Sequence, residues 1–202
     1  ANAQLISDRL TTLPDPTVQQ FAPKLIASLD RAINFCNSSM RFGRAEEAEP
    51  RRELMRLKPL LEEVAEGLGL PREGRIAWTV DADDQLLIDA DHEHMFRVLS
   101  NLTRNAVQAI ESRADGKGEI RVKAWRDGRK VFIEMSDDGP GVPEQARKNL
   151  FRPFQGSTRK DGSGLGLAIA LELVNVHGGK LELLDTPVGA TFLIEIPDRS
   201  VR

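Results

Sequence analysis

Two glycine boxes separated by a polar insert carry the residues best suited to chemistry. The first, Asp137-Asp138-Gly139-Pro140-Gly141, follows an apolar strand pattern from Val131 to Met135. The second, Gly162-Ser163-Gly164-Leu165-Gly166-Leu167, opens a helical pattern that runs to His177. Between them lie Phe151-Arg152-Pro153-Phe154 and the polar run from Gln155 to Asp161. Glycine lacks Cβ and reaches positive φ, so such boxes let backbone approach a nucleotide closely. A helix start adds unpaired N–H groups and partial positive charge, which suit phosphate. Each box also has an ordinary reading, because a lone glycine pair is more often a turn. Position 167 is Leu, so the second box lacks the last glycine of the dinucleotide fingerprint, and the chain has no Gly-x-x-x-x-Gly-Lys-Ser/Thr stretch.

A third group lies on a long amphipathic helix expected from about His92 to Ser112. Met95, Leu99, Leu102, Ala106 and Ala109 form its buried stripe. Asn101, Asn105 and Gln108 are spaced four and three apart, so they stack along a neighbouring face. Two readings fit this spacing alike. The carboxamides are a solvated edge, or their oxygens face a metal-bound triphosphate. Mg²⁺ keeps several waters and takes few protein oxygens, so one Asn suffices as a direct ligand.

The elements that must hold these groups follow from periodicity. After residue 52 a short strand is expected near Leu54–Leu57, then a helix from about Pro59 to Gly67. Ile76, Trp78 and Val80 alternate as a strand, and Leu86 to Ile88 form another. Ile120, Val122 and Ala124 pair across Asp127-Gly128 with Val131 to Met135 as a hairpin. The helix Leu165–His177 ends at Gly178-Gly179. Leu181 to Leu184 and Thr191 to Ile196 make a last hairpin across Pro187-Val188-Gly189. Helices mixed with hairpins imply an α+β fold, a two-layer sandwich with a mostly antiparallel sheet.

Ahead of this, residues 1 to 13 read as the end of a helix that starts without a cap, broken by Pro14-Asp15-Pro16. A second helix is expected from about Thr17 to Phe42, with Pro23 inside it. Val18, Ala22, Leu25, Leu29, Ala32 and Cys36 recur as a heptad seam. Two such helices cannot bury a stripe that wide alone. Pairing with a second copy into a four-helix bundle is the economical solution; packing on the rest of the chain is the alternative. The polar stretch from Gly43 to Arg52 reads as a linker, which divides the chain into a helical hairpin (1–44), a linker (45–52) and a second domain (53–198).

Bulk numbers bound the function. At 202 residues with 40% hydrophobic content, the chain suits one or two domains with a core. A net charge of −3 lacks the basic excess of a nucleic-acid binder. The chain shows no signal peptide and no run long enough to span a bilayer, so no direct membrane contact is expected. Its single cysteine, Cys36, excludes an internal disulfide, and a cytoplasmic setting is the simplest reading.

The order of the boxes carries a resemblance. Asn-x-x-x-Asn (101–105), Asp-x-Gly-x-Gly (137–141), Phe-x-Pro-Phe (151–154), Gly-x-Gly-Leu-Gly-Leu (162–167) and Gly189-Ala190-Thr191-Phe192 succeed one another. In this the chain resembles the catalytic, ATP-binding domain of bacterial sensor histidine kinases, within the gyrase, chaperone, kinase and mismatch-repair ATPase superfamily. The resemblance covers roughly residues 53–198 and implies a Bergerat-type fold with ATP and Mg²⁺ bound. It is less specific over the first 44 residues, which are similar to the kinases' dimerisation hairpin.

Carried over by position, the resemblance gives each residue a role. Asp137 matches the acceptor of the adenine amino group, and Gly139 and Gly141 let backbone pass the base. Asn105 matches the Mg²⁺ ligand and Asn101 its support. Phe151 and Phe154 match the aromatic box that anchors a lid. Thr158 and Arg159 match lid positions near the terminal phosphates, although an Arg in a polar loop is usually just solvated. Gly162, Gly164, Leu165, Gly166 and Leu167 match the hinge and the phosphate-facing helix start, and Thr191 a strand behind the base. Gln108 departs from the Lys or Arg common at its position. His92, His94 and His177 read as surface or helix-end residues.

Two consequences follow. In the superfamily's hydrolases the position of Asn101 is usually Glu, the base that activates water; Asn cannot serve, which favours a kinase. The phosphoacceptor histidine of the family's His-Asp/Glu-x-Arg box is absent from these residues, and is expected just upstream of Ala1. The resemblance thus implies a homodimer through residues 1–44 and a response-regulator receiver domain as partner. An anti-sigma-type serine kinase and a non-catalytic phosphotransfer or scaffold dimer are the rival readings.

Overall fold

The computed structural model describes residues 49–153 and 164–199. The expected helical hairpin over 1–44, linker residues 45–48, and Phe154, Thr158, Arg159 and Gly162 of the insert lie outside the described residues.

The described chain runs β1 (Glu53–Arg56), α1 (Leu57–Gly67), β2 (Ile76–Ala82), β3 (Leu87–Ala90), α2 (His92–Glu111), β4 (Gly118–Asp127), β5 (Lys130–Asp137), α3 (Glu144–Arg147), α4 (Gly166–Val176), β6 (Lys180–Leu184) and β7 (Ala190–Pro197). Five strands form one mixed sheet in the order β2-β4-β5-β7-β6. Both hairpins expected from alternation are present: β4 with β5, and β6 with β7, each antiparallel. β5 and β7 are also antiparallel, while β2 runs parallel to β4 at the edge. The α/β sandwich with a mostly antiparallel sheet is therefore as the sequence implies.

Alternation divides the sheet into two faces. Ile120, Val122, Val131, Ile133, Met135, Phe192, Ile194 and Ile196 are buried beneath the helices. Their register partners lie across from one another, for example Val122 with Met135 and Met135 with Phe192. The helical layer supplies Leu57, Leu60, Leu61 and Val64 from α1; Met95, Val98, Leu99, Leu102 and Ile110 from α2; and Ala170, Leu173 and Val174 from α4. Truncating one such Leu to Ala typically costs about 2–5 kcal/mol.

Several boundaries differ from expectation. The first strand begins one residue earlier, and α1 starts at Leu57 rather than Pro59. Pro59 fits the first turn because an N–H there would lack a helical acceptor. β3 runs to Ala90, two residues beyond its apolar run, because β1 pairs with it from Glu53↔Ala90 to Arg56↔Leu87. This two-stranded sheet, separate from the main one, has no local signal. The four-residue helix α3 is too short to show periodicity.

Capping sets the two long helices. Asp91 is the N-cap of α2, its Oδ1 accepting the His94 N–H at 3.1 Å. At the C-terminus of α4, Gly178 takes φ +69°. Its N–H donates to Asn175 O (2.8 Å) and the Gly179 N–H donates to Val174 O (3.0 Å). This paired closure is the Schellman motif, which needs a left-handed residue at that place.

His177 ends α4, as expected for a helix-end residue, and is buried at 1% exposure. Its Nδ1 lies 2.7 Å from Leu173 O, and its Nε2 accepts the Asp91 N–H at 3.0 Å. These partners fix the neutral tautomer with the proton on Nδ1. His92 is at the surface, paired with Glu63 at 3.1 Å.

Candidate nucleotide site

The Asn-bearing face of α2 and the start of α4 meet. A Cβ placed on Gly166 would lie 3.5 Å from Asn101 Oδ1 and 3.8 Å from Asn101 Cβ. The Asn101 side chain therefore faces Gly166, with space between them that a single methyl group would fill. Gly164, two residues earlier, takes φ +67°, a turn that an L side chain rarely adopts. Leu165 at the N-cap is fully buried and carries no capping group, so its side chain claims no first-turn N–H. Leu167 is half-buried on the first turn.

Asn101, Asn105 and Gln108 are all half-buried. Among the described residues their side chains form no hydrogen bonds. Half-sheltered carboxamides without internal partners are suited to a polar ligand, since a polar group withdrawn from water needs a partner. One turn of helix separates Asn101 from Asn105, so both belong to the same edge of α2.

The first glycine box lies at the other end of α2. β5 delivers Asp137 opposite Ala190 of β7. Asp137 is buried at 8% exposure, and its Oδ1 accepts the Gly139 N–H at 2.9 Å. A Cβ on Gly139 would fall 3.0 Å from Ala109 Cβ, so this loop packs against the α2 backbone. Gly141 has φ +76°, and a Cβ there would meet Gly189 O at 2.8 Å. Gly189 has φ +66°, and its Cβ would fall 1.6 Å from Asp137 O. The last box is thus fitted against the first, backbone to backbone.

Thr191 is next to Ala190 on β7, paired with Ser136 and Leu184. Strand alternation directs its side chain to the opposite sheet face from Asp137. Phe151 packs edge-on against Phe192, with centroids 6.5 Å apart, joining its aromatic ring to the core. The structure therefore brings together Asn101 and Gly166, and Asp137 with Gly139, Gly141 and Gly189.

Sequence reasoning passed over four residues around this loop. The Asp138 Oδ1 accepts the Glu119 N–H at 2.9 Å, and Arg113 Nη1 donates to Asp138 O at 2.9 Å. Gly118 sits beneath the Asp138 carboxylate. Their only local signal was a second Asp in the box and a Gly in a polar turn. Glu119 is itself held on β4: the Thr79 hydroxyl, with Arg121 beside it, keeps its carboxyl below the ordinary range against the opposing effect of burial.

The residues present fit an ATP–Mg²⁺ complex in kind. Unengaged carboxamides stand beside a glycine-opened helix start, and a buried carboxylate lies in a loop where added Cβ atoms would clash.

Residues 90–200 match the family described as histidine kinase-, DNA gyrase B-, and HSP90-like ATPase. The chain is 34% identical over 142 residues to the C4-dicarboxylate transport sensor protein DctB of Rhizobium meliloti, covering 67% of this chain and 22% of that protein. It is 30% identical over 189 residues to the signal transduction histidine-protein kinase AtoS of Escherichia coli, covering 91% of this chain and 30% of AtoS. The full-length structure of ShkA in complex with AMPPNP aligns at TM-score 0.68 and 30% identity, over 95% of this chain and 41% of that one. The catalytic domain of histidine kinase ThkA aligns at TM-score 0.63 and 28% identity, over 73% of this chain and 96% of that domain. The chain thus spans less than a third of the curated DctB and AtoS sequences. On fold, ordered motifs and similarity together, the chain belongs to the histidine kinase-, DNA gyrase B-, and HSP90-like ATPase family, as a sensor histidine kinase core.

Proposed function

We propose that this chain binds Mg-ATP and delivers the γ-phosphoryl group to a histidine, for relay to an aspartate of a response-regulator receiver domain. The observation that carries the reading is that Asn101 faces Gly166, which sets the carboxamide edge of α2 opposite the glycine-opened start of α4. Asn105 holds the metal and Asn101 supports it. The Asp137 carboxylate accepts the adenine amino proton, while Gly139 and Gly141 leave room for the base. N–H groups in the first turn of α4 face the phosphates. Mg²⁺, when bound, spreads the charge of the transferring phosphoryl group. The nucleophile is an imidazole nitrogen of a histidine on a dimerisation hairpin, approaching in line with the bond to ADP.

Asn at position 101 supplies no base for water, which favours transfer over hydrolysis. ShkA, described in complex with AMPPNP, supports the nucleotide, and the signal transduction histidine-protein kinase AtoS supports transfer to a histidine. Homodimerisation through residues 1–44 rests on the heptad seam, with Thr158 and Arg159 as phosphate-side lid residues and Phe154 as their anchor by resemblance. A cytoplasmic setting accords with the reading; no helix among the described residues is long and apolar enough to cross a membrane.

Titration calorimetry with a non-hydrolysable ATP analogue tests the site. Binding is expected to require Mg²⁺ and to be lost in the Asn105→Ala, Asp137→Ala double variant. Retained micromolar binding in that variant would overturn the site assignment.

A further inference from the structure

We propose that Asp138 is the positioning residue of the nucleotide site, fixing the peptide after Asp137 so that the Asp137 carboxylate meets the base edge. The inference rests on the nucleotide reading above and adds the source of its base selectivity.

β5 ends at Asp137, and a chain leaving a sheet edge normally loses its register. Here the register is extended by one residue. The Asp138 N–H donates to Glu119 O at 3.3 Å, and the Asp138 Oδ1 accepts the Glu119 N–H at 2.9 Å. The side chain thus substitutes for the backbone carbonyl that a further ladder residue would offer. Arg113, just beyond α2, closes the other side: its Nη1 donates to Asp138 O at 2.9 Å and lies 3.7 Å from Oδ2.

Gly118 makes the arrangement possible. A Cβ on it would fall 2.2 Å from Asp138 Oδ1 and 3.0 Å from both γ carbons of Ile110. The Asp138 carboxylate occupies the space that any other residue at 118 would fill. Gly118 is held in turn by its N–H to Arg75 O at 2.9 Å. Asp137 is therefore fixed by Gly189 against its carbonyl, by the Gly139 N–H on its carboxylate, and by Asp138 on the following peptide.

An exposed Arg–Asp pair at this separation contributes little alone. The contribution here comes from bonds to backbone, which set direction rather than attraction. Asp138 does not need to touch the base: its Oδ1 is already bonded to β4. Its effect passes through the aim of Asp137.

The test compares ATP with ITP, whose base carries an oxygen in place of the amino group, by calorimetry on the full chain with Mg²⁺. Asp138→Ala is expected to lower the ATP-to-ITP affinity ratio about tenfold, the scale of one lost bond to a charged group. Asp138→Asn keeps an oxygen for the Glu119 N–H and is expected to retain the ratio within about twofold. Arg113→Ala, which leaves the Asp138 side chain in place, is expected to lower the ratio about threefold and serves if Asp138→Ala fails to fold. An unchanged ratio in the folded Asp138→Ala variant, or in Arg113→Ala where that variant does not fold, overturns the inference. Asp137→Ala, which removes the acceptor, separates the two levels. If it collapses the ratio while Asp138→Ala does not, only the positioning role falls. If it leaves the ratio unchanged, the adenine assignment falls and the positioning role with it.

Discussion

At the scale of single residues, the site depends on where a Cβ is forbidden. Gly189 and Gly128 both adopt positive φ, +66° and +56°, but their surroundings differ. A Cβ on Gly128, in the β4–β5 turn, meets nothing within 4 Å; one on Gly189 strikes Asp137 O. Gly128→Ala is expected to cost only the left-handed backbone term, about 1–2 kcal/mol, with nucleotide affinity unchanged. Gly189→Ala is expected to cost more than that and to weaken ATP-analogue binding as well, because the clash displaces the residue before Asp138. Urea denaturation paired with calorimetry separates the two variants. Equal affinities would show that the fit of the last box against the first does not govern the site.

At the scale of elements, α2 and α4 are tied together at the end of α4 remote from Gly166. His177 at the end of α4 donates from Nδ1 to Leu173 O and accepts the N–H of Asp91, the N-cap of α2. Burial holds its pKa below the ordinary value, outweighing the Leu173 carbonyl; Arg52 and His94 add repulsion, and Asp91 opposes them. The unfolded chain therefore takes up a proton that the folded domain refuses. The stability His177 contributes is complete above about pH 6.5 and is lost as pH falls from there through the lower folded value, by at most about 1.4 kcal/mol per pH unit. The stability difference between wild type and His177→Asn is expected to shrink between pH 7 and 5. A constant difference would mean that the imidazole is not held neutral.

At the scale of the described domain, one side chain gathers its distant segments. Arg52, which the sequence reads as the end of a linker, donates from Nε (3.0 Å) and Nη2 (2.7 Å) to Asp89 O on β3, and from Nη1 to His177 O (3.0 Å). Its Nη2 also donates to Pro197 O at the end of β7. Asp89 is 4% exposed and accepts the Arg199 N–H at 2.8 Å and its Nε at 3.0 Å. Burial alone would raise the Asp89 carboxyl, but the bonds from Arg199 and the charge of Arg52 hold it below the ordinary range. Arg52→Ala is expected to destabilise the domain by about 3 kcal/mol, the lower end for a broken buried pair because Arg199 still faces Asp89. Arg52→Lys is expected to recover less than half, since an ammonium cannot fork to three carbonyls. Urea midpoints decide this, and a loss under about 1 kcal/mol would reduce the cluster to a solvated edge.

The sequence by itself determined the parts that repeat locally. Alternation in Ile120 to Ala124 and Val131 to Met135 with a Gly turn between them specified a hairpin, because side-chain direction in a strand has period two. The stripe from Met95 to Ala109 specified α2 and left Asn101, Asn105 and Gln108 on one edge. The glycine boxes, in order with the Asn pair, pointed to the family that the comparisons show. The tertiary structure alone decided what depends on residues distant in the chain. The pairing of β1 with β3 joins segments 31 or more residues apart, and its short strands carry too little periodicity to announce a partner. Burial of His177 and Asp89 arises from Asp91, Arg52 and Arg199, which no local pattern connects. Asp138 reads as a turn residue until β4 brings Glu119 and Gly118 beneath it. Periodicity records which face of an element is buried; it does not record which other element supplies the partners of a buried polar group.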